Sequence, residues 1–190
     1  MPPSRAVRRS ARPRPARRLD SMSDVSLRPA TLDDVALLTY WDSKPHVIAC
    51  TGADDAANWA EEIAGQGSWY DALIAEAAGR PVGIVQIIDP DNEPSRYWGV
   101  TGPGYRAIDI WIGEESDLGR GLGTQMMQLA LARCFSDPKV QAVLIDPLAS
   151  NVDAIRFYER LGFTRVGPRR FGEDDCIVLR FDRRDSLHLP

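Results

Sequence analysis

Apolar and polar positions follow two periods along most of the chain. Runs that alternate, or are continuously apolar, stand at VSLRPA (25–30), YDALIAEA (70–77), VGIVQIID (82–89), YRAIDIWIG (105–113) and VQAVLIDP (140–147). Each reads as a strand. FTRVG and CIVLRFD read as a closing antiparallel pair. AGRP joins the second and third strands as a hairpin. The helical period appears after Thr31, which caps a helix with Asp33 and Asp34 through about Trp41. It returns from about Asp54 to Ala64 with Gly65 as the stop, and again from Gln125 to about Phe135. A last helix spans SNVDAIRFYERLG, capped by Ser150 or Asn151 and ended by Gly162. On 105–113 the alternation sends Arg106, Ile108, Ile110 and Ile112 one way, and Tyr105, Ala107, Asp109 and Trp111 the other. The order predicts a mixed α/β (α+β) domain around one sheet, with strand, glycine loop, helix, strand and helix at its centre. Residues 90–104, PDNEPSRYWGVTGPG, form a long loop, a length that in compact domains commonly has a function.

Composition changes this picture mainly at one end. The 190 residues suit one domain with its own core, and 44% hydrophobic and 26% charged residues are ordinary for a soluble chain. No apolar run approaches the ~20 residues that span a bilayer, so no membrane role is expected. Cys50, Cys134 and Cys176 lie far apart without a CxxC, which points to a reducing, cytoplasmic setting and to no metal cluster. Residues 1–18 hold seven arginines, no acid and four prolines. Of the 23 basic residues, 16 remain in 19–190 against 27 acidic ones, a net of −11. A body this acidic repels nucleic acid and favours a small cationic partner. The expected organisation is a disordered Arg/Pro-rich extension (1–22), one domain (23–185) and a short tail (186–190), as a monomer or homodimer. The extension is a basic arm or targeting segment, or translation begins at Met22; the second reading is favoured.

The strongest local signal is DLGRGLGT (117–124), three glycines in five positions at the threshold of the 125–135 helix. Unpaired amides and the helix dipole there make an anion site, and glycines let the backbone approach a phosphate. The spacing fits neither a Walker loop, which needs a lysine, nor the dinucleotide pattern GxGxxG. A plain helix-start turn is the bland alternative.

LGRGLGT is similar to the xxRGxG/A loop of the GNAT superfamily of acetyl-CoA-dependent N-acetyltransferases. DPLASNVDAIRFYERLGF (146–163) resembles the last core strand and helix of that superfamily, where N-x-x-A-x-x-x-Y-x-x-x-G-F recurs. The R-x-I-D strand, L-G-x-G-L-G-T loop and D-P-x-x-x-N-x-x-A-I-R-x-Y-E segment, in this order, resemble the aminoglycoside 6′-N-acetyltransferases. The resemblance implies a GNAT fold, with a largely antiparallel sheet splayed between its central strands and flanked by helices. It implies acetyl-CoA as cosubstrate, no metal, and a primary amine as acceptor. Backbone amides of the loop Leu118, Gly119, Arg120, Gly121, Leu122, Gly123 and Thr124, chiefly those around Arg120 to Thr124, would hold the pyrophosphate, with Arg120 adding charge. Ile110, Trp111 and Ile112 would line the arm with their backbone, and Asn151 would bond the pantetheine. Leu118 stands where the superfamily often carries Gln or Arg.

Asp109 sits inside an otherwise apolar strand, an expensive place for a charge unless it is used or paired. By resemblance it is the general base, and an Asp paired to a neighbouring Arg is the alternative. Tyr158 would protonate the leaving thiolate, against the alternative of a core aromatic. Trp98, Asp109 and Asp146 would bind the acceptor. The subfamily's acidic, Trp-rich stretch is here SRYWGVTGPGY, and its paired tryptophans are replaced by Ala49 and Cys50. The competing functions are a GNAT enzyme for another amine (siderophore precursor, polyamine, protein N-terminus or lysine) and a non-catalytic CoA-binding module. Siderophore acyltransferases tend to carry a histidine on the central strand; the two histidines here are His46 and His188.

Overall fold

The computed structural model describes residues 25–51, 58–67 and 69–188. The Arg-rich extension and the predicted helical positions 54–57 lie outside the described residues. Strands β1 (Val25–Pro29), β2 (Tyr70–Ala77), β3 (Arg80–Ile88), β4 (Tyr105–Ile112), β5 (Ala142–Ile145), β6 (Thr164–Phe171) and β7 (Asp174–Asp182) make one sheet ordered β1-β2-β3-β4-β5-β7-β6. The helices are α1 (Val35–Asp42), α2 (Pro45–Thr51), α3 (Trp59–Ala64), α4 (Leu122–Ser136) and α5 (Val152–Arg160). A 3₁₀ turn spans Arg183–His188. Among the described residues no helix is long and apolar enough to cross a membrane.

Strand patterning follows from helices on both faces. Leu73, Ala75, Val85, Ile87 and Ile108 face α4, where Met126, Met127, Ala130 and Leu131 are buried. The alternate positions Ala72, Ile74 and Ile84 face α1 and α3, which bury Leu38, Trp41, Trp59 and Ile63. With both faces covered, β2 and β3 read as nearly continuous apolar runs. Ala78 and Gly79, both at positive φ (53° and 73°), form the two-residue turn of their hairpin. The α2 helix was not expected. Its segment PHVIACT buries Val47 but shows no amphipathic stripe, and the fit of proline to a first helical position is its one local signal.

The decisive feature is the junction between β4 and β5. Every other strand pair is antiparallel, whereas these two are parallel and pair only at Tyr105–Ala142, Arg106–Val143 and Ala107–Leu144. Beyond Ala107, β4 stays in register with β3 through Gly83–Ile112 while β5 ends at Ile145. The two halves of the sheet therefore part at residue 108. Arg106 holds the closed end, with Nη1 3.3 Å from Asp89 Oδ2 and Nη2 3.5 Å from Asp137 Oδ2.

Candidate active site

One end of this split is the glycine loop. Gly119 and Gly121 adopt left-handed φ (71° and 79°), and Gly121 is the residue before α4. Among the described residues, no amide from Gly119 to Thr124 makes a hydrogen bond to another backbone group; the first to do so is Gln125, to Gly121 O at 3.3 Å. No side-chain cap covers this helix start. A Cβ built at Gly119 would meet nothing within 4 Å, so that glycine serves conformation rather than packing. Six successive amides without backbone partners, at the positive end of a 15-residue helix, fit a diphosphate. Leu118 does not join them, because its N–H is given to Glu115 O at 3.1 Å; its side chain is exposed. Arg120 is tied to Asp117, Nη1 to Oδ1 at 2.8 Å.

Between the ends, the free edge of β4 and the start of α5 face one another. Ile110 and Ile112 lean on the α4 core, and Trp111 joins the opposite cluster with Trp59. The α2 helix spans the gap. A ring nitrogen of His46, Nε2, lies 3.0 Å from Ile112 O, and Cys50 Sγ is 3.5 Å from Asn151 Nδ2. Asn151 thus has two jobs in this structure, since its Oδ1 also accepts from Ala154 N at 3.1 Å to cap α5. Tyr158 is 7% exposed and set edge-on to Phe157 and Phe163, at 5.1 and 5.8 Å. Burial, then the nearby Asp109 carboxylate, pushes its hydroxyl well above the usual tyrosine range, so it holds its proton at neutral pH.

The far end carries carboxylates. Asp109 was expected to pay a burial cost within its strand; it is exposed. The reason is the split, which leaves β4 beyond Ala107 without a neighbour on the β5 side. Its register partner on β3 is Gln86, whose Nε2 donates to Tyr70 Oη at 2.7 Å and to Glu62 Oε2 at 3.1 Å. Asp146, half-buried just past β5, accepts from Tyr97 Oη at 2.8 Å. Burial first, then the Asp109 charge, pushes the Asp146 carboxyl up to about 8. Tyr97 was not singled out by sequence. It stacks on Phe171 with centroids 4.5 Å apart and planes 8° apart, a contact no local pattern announces. Trp98 is 5% exposed and packs edge-on to Phe171, its carbonyl accepting from Arg169 Nη2 at 2.8 Å. In this geometry Trp98 supports the aromatic wall from behind, and Tyr97 presents it. Asp109, Asp146 and Tyr158 are brought within electrostatic reach of one another. The acidic run Glu173–Asp175 lies at the β6–β7 turn, where Arg170 Nη2 is 3.1 Å from Glu173 Oε2.

Comparison with known proteins places this arrangement. Residues 30–171 match the profile of the acetyltransferase (GNAT) domain. The aminoglycoside N(6′)-acetyltransferase type 1 of Klebsiella pneumoniae is 31% identical over 158 residues, 78% of either chain. A kanamycin resistance protein of Rhizobium radiobacter is 43% identical over 76 residues, 40% of this chain and 70% of that one. The crystal structure of aminoglycoside acetyltransferase AAC(6′)-Ib in complex with coenzyme A and kanamycin superposes with a TM-score of 0.77 at 30% identity, covering 86% of this chain and 98% of that one. A sheet split beside a glycine loop of unpaired amides, matched over this length, makes the chain an acyltransferase, a member of the GNAT acetyltransferase family.

Proposed function

We propose that the chain transfers the acetyl group of acetyl-CoA to a primary amine of a small polycationic acceptor, the 6′-amine of an aminoglycoside, in the cytoplasm. The observation that carries this reading is the pair of acidic side chains, Asp109 and Asp146, where β4 and β5 begin to part, with the glycine loop of unpaired amides at the other end of the split. The names of the 31%-identical relative and of the kanamycin-bound neighbour support the acceptor class.

Bound at the split, acetyl-CoA supplies an activated thioester carbonyl. Amides of 119–124 hold its diphosphate, and the β4 edge from Ile110 to Ile112 borders the arm. At neutral pH the acceptor amine is an ammonium ion and cannot attack. Asp109 attracts it and takes a proton, directly or through water. Asp146, which would release its proton as the cation arrives, and Tyr97 hold the rest of the acceptor against the aromatic wall. An N–H on the β4 edge polarises the carbonyl as oxygen charge develops. Tyr158, still protonated, gives its proton to the departing sulfur as the C–N bond forms and the C–S bond breaks, and the second proton shed by the acylated nitrogen returns through water to the Tyr158 oxygen. The route is direct attack in a ternary complex.

The test is release of CoA thiol from acetyl-CoA with kanamycin, tobramycin, a 6′-hydroxyl analogue, spermidine and lysine as acceptors, with product masses. Acetylation of 6′-amino compounds and not the 6′-hydroxyl analogue is expected. Turnover of spermidine or lysine with silence toward every aminoglycoside would assign a different amine.

A further inference from the structure

The glycine loop is flanked by a charge cluster that the reading above does not use. Asp117 stands two residues before Gly119, and its side chain is 2% exposed. It accepts from Arg80 Nη1 at 2.8 Å and Nη2 at 2.9 Å, and from Arg120 Nη1 at 2.8 Å. Arg80 is the first residue of β3, 37 positions earlier in the chain, while Arg120 belongs to the loop itself. This carboxylate therefore ties the loop to the hairpin. The two guanidinium-bearing side chains remain 53% and 61% exposed. One carboxylate against two guanidiniums leaves an uncompensated positive charge. Glu114 also acts on Arg80 through space, but is itself paired with Lys44 Nζ at 3.2 Å.

A bidentate contact fixes the plane of the Arg80 guanidinium; Nη1 also donates to Pro81 O at 3.3 Å, and the Nε and second Nη2 hydrogens point away from Asp117. Side-chain ordering that a free arginine would lose on binding a ligand is thereby already lost. Such a preset pair suits a phosphate monoester, which carries close to two negative charges at neutral pH. The diphosphate of CoA is accounted for by the amides of 119–124, and the arm runs inward along β4. The phosphate left for a cluster on the outer, solvent side of the loop is the one on the ribose.

We propose that Arg80 and Arg120, held as a fork by Asp117, bind the ribose 3′-phosphate of CoA and so make the enzyme select CoA over its dephospho form. This deepens the acetyl-CoA reading above and rests on it. The amides set general affinity for a diphosphate, and the fork adds discrimination.

Calorimetric titration of CoA and of dephospho-CoA, with no acceptor present, tests the proposal. The wild type is expected to bind CoA about tenfold more tightly than dephospho-CoA, the worth of one charge-assisted contact. Arg80→Gln should weaken CoA binding about tenfold and leave dephospho-CoA within twofold, and Arg80→Lys should fall between. Arg120→Gln, on an exposed loop side chain, should act in the same direction and keeps the test open if Arg80→Gln fails to fold. Equal weakening toward both ligands would show a mere latch for the loop and overturn the proposal, as would no change. Failure of the wild type to bind either ligand would sink the acetyl-CoA reading itself. Tight binding of both without preference would sink only the fork.

Discussion

Asp109 and Asp146 reach one opening from two strands and meet opposite surroundings. Asp109 is exposed where β4 has lost its neighbour, and Asp146 is half-buried under the Tyr97 hydroxyl. On the proposed reading the exposed carboxylate is the one that an incoming ammonium meets. Asp109→Asn is expected to lower turnover by about 10²-fold with CoA affinity unchanged, read by steady-state rates beside calorimetry. Equal loss of CoA affinity would mark it as structural. Asp109 was legible because alternation alone puts a charge between Ala107 and Trp111. Its exposure was not, since that depends on where β5 stops. Tyr97 escaped notice for a similar reason: its meaning comes from Phe171, 74 positions away in sequence. The R-x-I-D arginine illustrates the converse. Arg106 stands out in sequence beside the candidate base, yet its guanidinium clamps the sheet through Asp89 and Asp137.

Among the elements, the glycine loop was the most legible because its conformation is local: amides left over at a helix start need only glycines beside them. The strands were legible because two-sided burial writes apolar runs directly into sequence. The α2 helix was not, since its place depends on distant partners, Ile112 O through His46 and Asn151 through Cys50. The end of β4 shows how closely such elements are fitted. A Cβ added at Gly113 would fall 2.0–2.3 Å from ring atoms of Trp41, which is 1% exposed in α1. Neither the strand end nor a fully buried indole can retreat freely. Gly113→Ala is expected to destabilise the fold by about 1–3 kcal/mol, seen as a lower denaturant midpoint at unchanged slope. An unchanged midpoint would mean that α1 is free to shift.

For the whole molecule, ionisation sets stability in two opposed directions. Hydrogen bonds from Arg28 and Arg80 hold Asp34 and Asp117 below the usual carboxylate range. Their contributions are present above the unfolded value of about 4 and are lost as pH falls through the lower folded values. Asp146 runs the other way. With its carboxyl raised to about 8, the native chain keeps a proton that the unfolded chain has released above about pH 4. Its contribution is full below that pH and fades as pH rises through 8. Melting temperatures of the wild type and Asp146→Asn should therefore diverge with rising pH, the variant being relatively more stable at pH 9 than at pH 4. A constant difference would show that Asp146 titrates normally.

The two ends of the split also differ in how they can be inherited. On the proposed reading the diphosphate is held by the main chain of 119–124, and a change of codon alters a side chain while leaving an amide in place. Acceptor contacts, on the same reading, would come from the side chains of Tyr97, Asp109, Asp146 and Phe171, on the long loop, β4, the end of β5 and β6. Each of these can be exchanged without rebuilding the phosphate loop. Selection by a new amine would act on four scattered codons, and lineages of this fold would diverge in what they acetylate long before they diverged in what they acetylate with.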